Sequence, residues 1–224
     1  SSVHRIFVQA MGKREALGDN SGKRSTEAGR IKGEVPSGCY DLGNGHNIIW
    51  AGRSNPAVAP LSEAEARLTQ EFGADKVEWM LRRGRNLYLF PNLLLMDQSS
   101  TQIRVFRPLS PDRTEVRVYC IAPKGESREA RVARLRKFED FFMVTGMATP
   151  DDLAALEDCQ IGSLGTDARW SGMERGISEM IKGPDKLAQA LGADVASSAK
   201  RWDHEILYHG YLRRWADLMN GHVG

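Results

Sequence analysis

Two adjacent carboxylates, Asp151 and Asp152, have the position in this chain that most clearly suggests chemistry. They follow Thr149-Pro150 and precede an apolar run with helical spacing, so they fall in the first turn of a predicted helix. One interpretation is structural: Thr149 is the N-cap, Pro150 is the first helical residue, and Asp152 completes a capping box. The other interpretation is that one of these two carboxylates is also held near His4 as a metal ligand.

The five histidines differ in what their positions allow. His204 and His209 are five residues apart, and on a helix that spacing separates them by more than about 100°, so they cannot hold one ion from one face. We expect both to be surface or core-edge residues, His46 to hydrogen-bond beside a turn, and His222 to lie in a glycine-rich tail. His4 remains, but non-haem iron requires two imidazoles and a carboxylate, so this pair is one ligand short.

Composition limits the class of protein. The 224 residues are 41% hydrophobic and 27% charged, with a net charge of +2, which fits one sizeable globular domain. The charge balance predicts no nucleic-acid partner, and no apolar run is long enough to predict a membrane span. Three separated cysteines without metal-ligand spacing predict reduced thiols in a soluble, cytoplasmic protein. Because no methionine precedes Ser1, we expect a piece of a longer polypeptide.

The predicted elements run from strands to helices. Gly43-Asn44-Gly45 predicts a tight hairpin turn, and Ser62 with Glu65 predicts a capped helical region that reaches about Arg83 with an interruption near Gly73. The pattern then becomes extended. The predicted strands are Asn86 to Phe90, Leu93 to Gln98, Gln102 to Arg107 and Thr114 to Ala122.

A long amphipathic helix is predicted over Glu126 to Thr145. Its apolar stripe is Val132, Leu135, Phe138 and Phe142, and its predicted solvated face carries Arg128, Arg131, Arg134 and Lys137. The Thr149 helix follows, and Trp202 to Met219 predicts a C-terminal helix. A sheet followed by a long helix able to pack across it predicts an α+β layer architecture.

Six segments of the chain carry a family resemblance. They are Arg85-Asn86-Leu87-Tyr88-Leu89-Phe90-Pro91-Asn92, Met96-Asp97-Gln98, Gln102-Ile103-Arg104-Val105-Phe106-Arg107-Pro108, Thr114-Glu115-Val116, Tyr119-Cys120-Ile121-Ala122-Pro123-Lys124-Gly125-Glu126 and Gly146-Met147-Ala148-Thr149-Pro150-Asp151-Asp152-Leu153. Together they resemble the catalytic domain of a Rieske-type aromatic-ring-hydroxylating dioxygenase large (alpha) subunit, in its benzoate and toluate 1,2-dioxygenase branch. The resemblance implies a helix-grip type of α+β domain, a curved antiparallel sheet packed around a long helix.

The resemblance also implies a mononuclear Fe(II) site. The family holds iron with His-x-x-x-x-His and a downstream aspartate, and Ser2-Val3-His4 matches the end of the histidine motif. His4 and Asp152 are therefore the expected catalytic metal ligands, with the first histidine outside the chain. The cysteine and histidine motifs of the Rieske [2Fe-2S] domain are absent. We thus expect residues 1–224 to be an N-terminally truncated catalytic domain that is inactive alone.

The implied reaction is cis-dihydroxylation of an aromatic ring by O2, and we expect the ring to carry a carboxylate. Electrons would come from NADH through a reductase or ferredoxin and the Rieske cluster, and the implied assembly contains a beta subunit and a trimer of alpha subunits. By resemblance, the ring is faced by Ile49, Asn86, Met96 and Phe142, although all four also suit an ordinary core.

Two questions stay open at the level of sequence. A substrate carboxylate needs a buried cation or donors, and Arg104 and Arg117 lie on predicted strands whose faces are undetermined. The alternative functions are a ring monooxygenase on the same scaffold, such as a salicylate hydroxylase, and a non-catalytic helix-grip domain that binds an apolar ligand. In the second alternative, Asp152 is only a helix cap.

Overall fold

The computed structural model describes residues 36–53, 56–97, 100–167 and 170–222. His4 and the glycine-rich stretch from residue 12 to 33 lie outside these described residues. Within them, an eight-stranded antiparallel sheet has the strand order β6-β5-β4-β3-β2-β1-β8-β7. The strands are β1 (Ser37–Gly43), β2 (His46–Gly52), β3 (Arg83–Leu89), β4 (Leu93–Met96), β5 (Gln102–Ser110), β6 (Arg113–Cys120), β7 (Ile181–Lys182) and β8 (Ser197–Ala199).

Six α-helices accompany the sheet in the described residues. They are α1 (Glu65–Phe72), α2 (Ala74–Arg82), α3 (Arg128–Phe142), α4 (Thr149–Gly162), α5 (Lys186–Ala190) and α6 (His209–Met219). None of these described helices has both the length and the hydropathy needed to cross a bilayer. The predicted α+β class is confirmed, and the long helix α3 follows the four-stranded part of the sheet as predicted.

The predicted hairpin and strands are confirmed. Asn44 and Gly45 form the turn between β1 and β2 with φ values of 51° and 82°, a left-handed conformation that asparagine and glycine adopt at low cost. A side chain at Gly45 would also clash, because an added Cβ would lie 2.8 Å from the ring of Phe90. The four later strands, β3 to β6, overlap the predicted extended segments, and β3, β4 and β6 end one or two residues before the predicted ends.

The predicted helical region before β3 is confirmed, but its capping box is wrong. Gly73 separates α1 from α2 with a φ of 84°, at the predicted interruption. A 3-10 turn over Ser62–Ala64 precedes α1, so the helix starts too late for the Ser62 side chain to reach its free amides. The hydroxyl of Ser62 instead donates to the carbonyl of Ala57 at 2.9 Å.

One face of the sheet is a packed aromatic layer, called here the aromatic face. Tyr40 and Trp50 from neighbouring strands contact Trp79 of α2, with ring centroids 5.8 to 6.4 Å apart. Two strand arginines lie over these rings, Arg83 over Trp50 at 5.1 Å and Arg85 over Trp79 at 5.7 Å. Tyr40 and Trp50 are both buried core residues, and Trp79 packs against them.

The opposite face, called here the Gln102 face, carries a continuous cross-strand row. Each residue of the row lies directly opposite the next, so all their side chains emerge on one side of the sheet. The row is Cys39, Ile49, Asn86, Met96, Gln102 and Cys120.

Helices α3 and α6 both lie against the Gln102 face. The guanidinium of Arg134 in α3 donates to the sulfur of Cys120 at 3.1 Å. In α6, the ring of Tyr211 lies 6.0 Å from that of Tyr88 in β3. The predicted packing of α3 against the sheet is therefore observed at Arg134.

Two details of the α3 prediction are wrong. Val132 and Leu135, predicted as part of a buried stripe, are 49% and 38% exposed. Arg134, predicted as solvated, is largely buried and bonded to Glu126 at 2.6 Å. The side of the helix that carries Arg134 therefore faces the sheet. The ion pair with Glu126 and the contact with Cys120 hold Arg134 there.

The segment after α4 extends the sheet in a way that the sequence pattern did not predict. β8 pairs with β1 through Cys39 and Ala199, and β7 pairs with β8. These strands have three and two residues, too short to show an alternating pattern. They close the sheet edge beside β1, where Ile206 packs on Cys39 and Ala199.

Candidate active site

Three of the four residues predicted to face a ring lie side by side in the Gln102 row. Ile49 pairs with Asn86 across β2 and β3, and Asn86 pairs with Met96 across β3 and β4. All three are partly buried. The strand register therefore makes one continuous surface from two apolar side chains with an amide between them.

Gln102 and Arg104 continue this surface on β5. Gln102 lies opposite Met96 and is wholly buried, with 0% of its surface exposed. Its side-chain Oε1 accepts a hydrogen bond from Nε of Arg104 at 3.1 Å. Its Nε2 is buried and has no hydrogen-bond partner among the described residues. The arginine is thus held in place by a neighbour two residues earlier on the same strand face.

Phe142 reaches the same place from the last turn of α3. The guanidinium carbon of Arg104 lies 4.9 Å from the centre of the Phe142 ring, which is cation–π distance. Phe142 is buried, and it also contacts the rings of Phe138 and Phe141. Phe142 therefore contacts Arg104, which is bonded to Gln102, the neighbour of Met96 in the row.

The connection from α3 to α4 is a tight turn that fixes where Asp152 lies. The hydroxyl of Thr149 donates to the carbonyl of Phe142 at 2.8 Å, and the amide of Ala148 donates to the carbonyl of Phe141 at 3.0 Å. An added Cβ at Gly146 would lie 2.7 Å from the backbone of Phe141, so this close approach requires glycine.

The predicted helix cap at Thr149 is wrong. The N-cap of α4 is Ala148, which makes no side-chain cap bond, and Thr149 is already helical. The reason is the bond from Thr149 to Phe142, which takes the hydroxyl away from the capping position. No described residue donates a hydrogen bond to the carboxylate of Asp152. That side chain is therefore free of the capping role that the structural interpretation gave it.

Asp152 and Arg104 interact electrostatically. Burial lowers the pKa of Arg104, and the negative charge of Asp152 opposes that shift. A helix N-terminus, a carboxylate, a guanidinium and the Gln102 row thus meet in one region of the sheet. This combination offers an anionic ligand for a cation next to a partly apolar surface.

Within the described ranges, no three His, Cys, Asp or Glu side chains could together hold a metal ion. The described part of the expected iron site is one carboxylate, since His4 lies outside it. A carboxylate without a cap bond suits a site completed by imidazoles from elsewhere, because Fe(II) accepts that mixed donor set.

Comparison with known proteins decides the family. The sequence model of one protein family, described as ring hydroxylating alpha subunit (catalytic domain), matches residues 37–220. The chain belongs to this family. The match includes every strand and helix named above.

Curated relatives of the chain share more than a third of its sequence. The chain is 39% identical to a 2-halobenzoate 1,2-dioxygenase large subunit of Burkholderia cepacia, over 97% of this chain and 46% of that protein. It is 40% identical to the alpha subunit of toluate 1,2-dioxygenase of Pseudomonas putida, over 98% and 47%. An anthranilate 1,2-dioxygenase large subunit of Acinetobacter baylyi is 36% identical, over 98% and 48%. The chain spans about half the length of these relatives.

Solved structures agree on the fold of the chain. A naphthalene 1,2-dioxygenase structure with indole bound in its active site superposes with a TM-score of 0.67 at 19% identity, over 91% of this chain and 47% of that one. This likeness supports the helix-grip α+β assignment.

Two of the four histidines in the described part of the chain, His46 and His209, have hydrogen-bond partners for their rings, whereas Nδ1 of buried His204 has none among the described residues. The amide of Phe90 donates to Nδ1 of His46 at 3.0 Å, which confirms the predicted hydrogen-bonding role. His209 contacts the carbonyl of Met173 at 2.6 Å. His204 is fully buried and not on the surface or core edge, because Gly176 packs against its ring. It also precedes a 3-10 turn while His209 starts α6, so they share no helix face.

Two site residues were not assigned from the sequence. Gln102 was not singled out, and the face of Arg104 was undetermined. Their spacing of two residues on one strand was the available signal, since such residues share a face. Arg117 lies opposite Val105 and so emerges on the other face, where it pairs with Glu115 at 2.9 Å.

Proposed function

We propose that this chain is the catalytic portion of an oxygenase that uses mononuclear non-haem iron and O2 to cis-dihydroxylate a carboxylated aromatic ring. Family membership supports the chemistry. The names of the three relatives, a 2-halobenzoate, a toluate and an anthranilate dioxygenase, all denote aromatic carboxylates, which supports the substrate class.

One observation in the structure carries the proposal: Asp152 neither caps its helix nor receives a hydrogen bond from a described residue. As a first-turn residue of the helix, Asp152 can still interact favourably with the helix dipole, which requires no hydrogen bond. The absence of a cap bond supports the iron proposal over the alternative in which Asp152 is a side-chain cap.

Iron in this site would be held by Asp152, His4 and a further imidazole. When bound, it would supply the activation of dioxygen beside the ring. The chain's own contribution is placement: Phe142 and Met96 offer apolar surface to a ring, with Ile49 and Asn86 continuing it. We propose these four as the substrate-binding residues.

The remaining components follow from family membership. Electrons would travel from NADH through a reductase or ferredoxin and a Rieske [2Fe-2S] cluster, and the assembly would contain a beta subunit and a trimer of alpha subunits. We place the protein in the cytoplasm, supported by its three cysteines, all of them described and all unpaired.

Product analysis tests the reaction. The full oxygenase, supplied with its reductase, NADH and benzoate, is incubated under isotopically labelled dioxygen, and the product is identified by mass spectrometry. We expect a cis-dihydrodiol that carries label at both new oxygen atoms. A phenol with one labelled oxygen would instead indicate the monooxygenase alternative, and an iron-loaded enzyme that forms no oxidised ring would refute both.

A further inference from the structure

Arg104 is a partly buried cation without a salt bridge to any described carboxylate. Only its Nε is used, in the bond to Gln102. Its two terminal amino groups have no acceptor among the described residues. Asp152 is near enough to influence its pKa but outside salt-bridge distance. Arginine stays charged in proteins, and burial of a charge is unfavourable without a partner, so this position calls for an anion.

The guanidinium is held in one orientation. Gln102, wholly buried, fixes the Nε edge, and the ring of Phe142 lies over the guanidinium at 4.9 Å. A carboxylate is bound most specifically by a guanidinium fork whose plane is already fixed. The buried Nε2 of Gln102, also without a described partner, is a second donor in the same region.

The cation is also at the right distance from the proposed ring surface. Arg104 lies two residues along β5 from Gln102, which pairs with Met96. Diagonal neighbours of this kind on an antiparallel pair have Cα atoms roughly 7 Å apart. A molecule the size of benzoate can therefore contact Met96 with its ring and Arg104 with its carboxylate.

We propose that Arg104 binds the carboxylate of an aromatic acid and thereby sets which end of the ring faces Asp152. This inference rests on the proposed function, and it assigns the substrate class to one residue. Arg117, the other strand arginine considered, is on the opposite face, half-exposed and already paired with Glu115.

Binding of benzoate and of benzamide, its neutral isostere, to the full-length protein tests the proposal by calorimetry without turnover. Arg104→Gln is expected to weaken benzoate binding by about 10- to 100-fold, the range typical of a charged hydrogen-bonded contact. Benzamide affinity should change by less than about 3-fold, since hydrogen bonds between neutral groups are weaker. Arg117→Gln is the matched control and should bind both like the wild type.

Arg104→Lys separates binding from folding. It keeps the charge but loses the fork, so we expect an intermediate benzoate affinity and unchanged benzamide affinity, with a thermal midpoint close to that of the wild type. Equal weakening of benzoate and benzamide in either variant would show a structural role and overturn the proposal. Unaltered benzoate affinity, or no benzoate binding by the wild type, would overturn it as well.

The outcome is distinguishable from failure of the proposed reaction. If ring oxidation occurs but Arg104→Gln binds benzoate normally, the anchor is wrong and the oxygenase assignment stands. If benzoate binds through Arg104 but the iron-loaded enzyme oxidises no ring, the anchor stands and the reaction is wrong.

Discussion

The two faces of the sheet are built on opposite principles. On the aromatic face, Tyr40, Trp50 and Trp79 pack together and the strand arginines lie over their rings. On the Gln102 face, Gln102 and Arg104 retain donors that no described residue satisfies. The same strands thus supply a packed aromatic core on one side, where only Nε1 of Trp50 and Nε of Arg83 lack a described partner, and on the other a buried amide and a guanidinium with open donors. Such groups are costly for stability and useful for binding.

The largest stability effect is expected on the aromatic face. Trp50→Ala should lower the free energy of unfolding by about 4 kcal/mol, because it removes a buried indole and leaves a cavity beneath Tyr40. Urea denaturation measures the change. Trp170, which is 93% exposed, is the control, and its alanine variant should lose less than about 0.5 kcal/mol. Similar losses of unfolding free energy in the two variants would mean that Trp50 is not part of a tightly packed core.

The ion-pair cluster at the end of β4 should come next. Asp97 contacts both Arg85 and Arg53, whose side chain is 1% exposed. Asp97→Ala removes the carboxylate that pairs with two arginines at the sheet and should cost about 3 kcal/mol. The exposed pair between Arg67 and Glu71 provides the comparison, because Glu71→Ala should cost about 0.5 kcal/mol or less. An equally small loss at Asp97 would mean that the carboxylate adds little to the other contacts of these arginines.

Met96 and Leu95 offer a direct contrast between the two faces. They are consecutive on β4, so their side chains point to opposite faces. Met96→Ala should lower kcat/KM for ring oxidation by about 10-fold with a loss of stability of about 1 kcal/mol. Leu95→Ala should leave KM unchanged and affect stability alone. A loss of kcat/KM in Leu95→Ala but not in Met96→Ala would mean that the substrate binds on the aromatic face.

The smallest effect on stability is expected at Cys39, the β1 residue at one end of the Gln102 row. Burial, and to a lesser extent the charge of Asp203, raises the pKa of Cys39 from 9.0 to about 12. The unfolded thiol ionises first as pH rises, so stability contributed by the protonated thiol is present below pH 9.0 and declines above it. Between pH 8 and pH 10, Cys39→Ala should weaken the pH dependence of unfolding. An unchanged slope would mean that Cys39 ionises freely in the folded protein.

Local chemistry predicted most of the fold. Asn44-Gly45 fixed the hairpin and Gly73 the helix break, because few residues adopt those backbone angles. Two-residue and three-residue strands near Ile181 and Ser197 carried no periodic signal. The caps at Ser62 and Thr149 were wrong because the helix starts later than predicted at Ser62 and earlier at Thr149, and each hydroxyl bonds a carbonyl five or seven residues before it.

The candidate site was less predictable than the fold. The resemblance placed Ile49, Asn86 and Met96 on one surface, and the register brings them together. Which face Arg104 occupies depends on register, and a shift of one residue would reverse it. His4 remains a prediction.

The central claim is that Asp152 is an iron ligand, and metal content tests it most directly. Full-length Asp152→Ala and Asp151→Ala are purified in parallel with the wild type, and mononuclear iron is quantified per subunit. Both substitutions remove one carboxylate from the start of α4, so both weaken the favourable helix-dipole interaction alike. The account predicts that Asp152→Ala loses the mononuclear iron while Asp151→Ala and the wild type retain it. Full iron content in a folded Asp152→Ala protein would contradict the account.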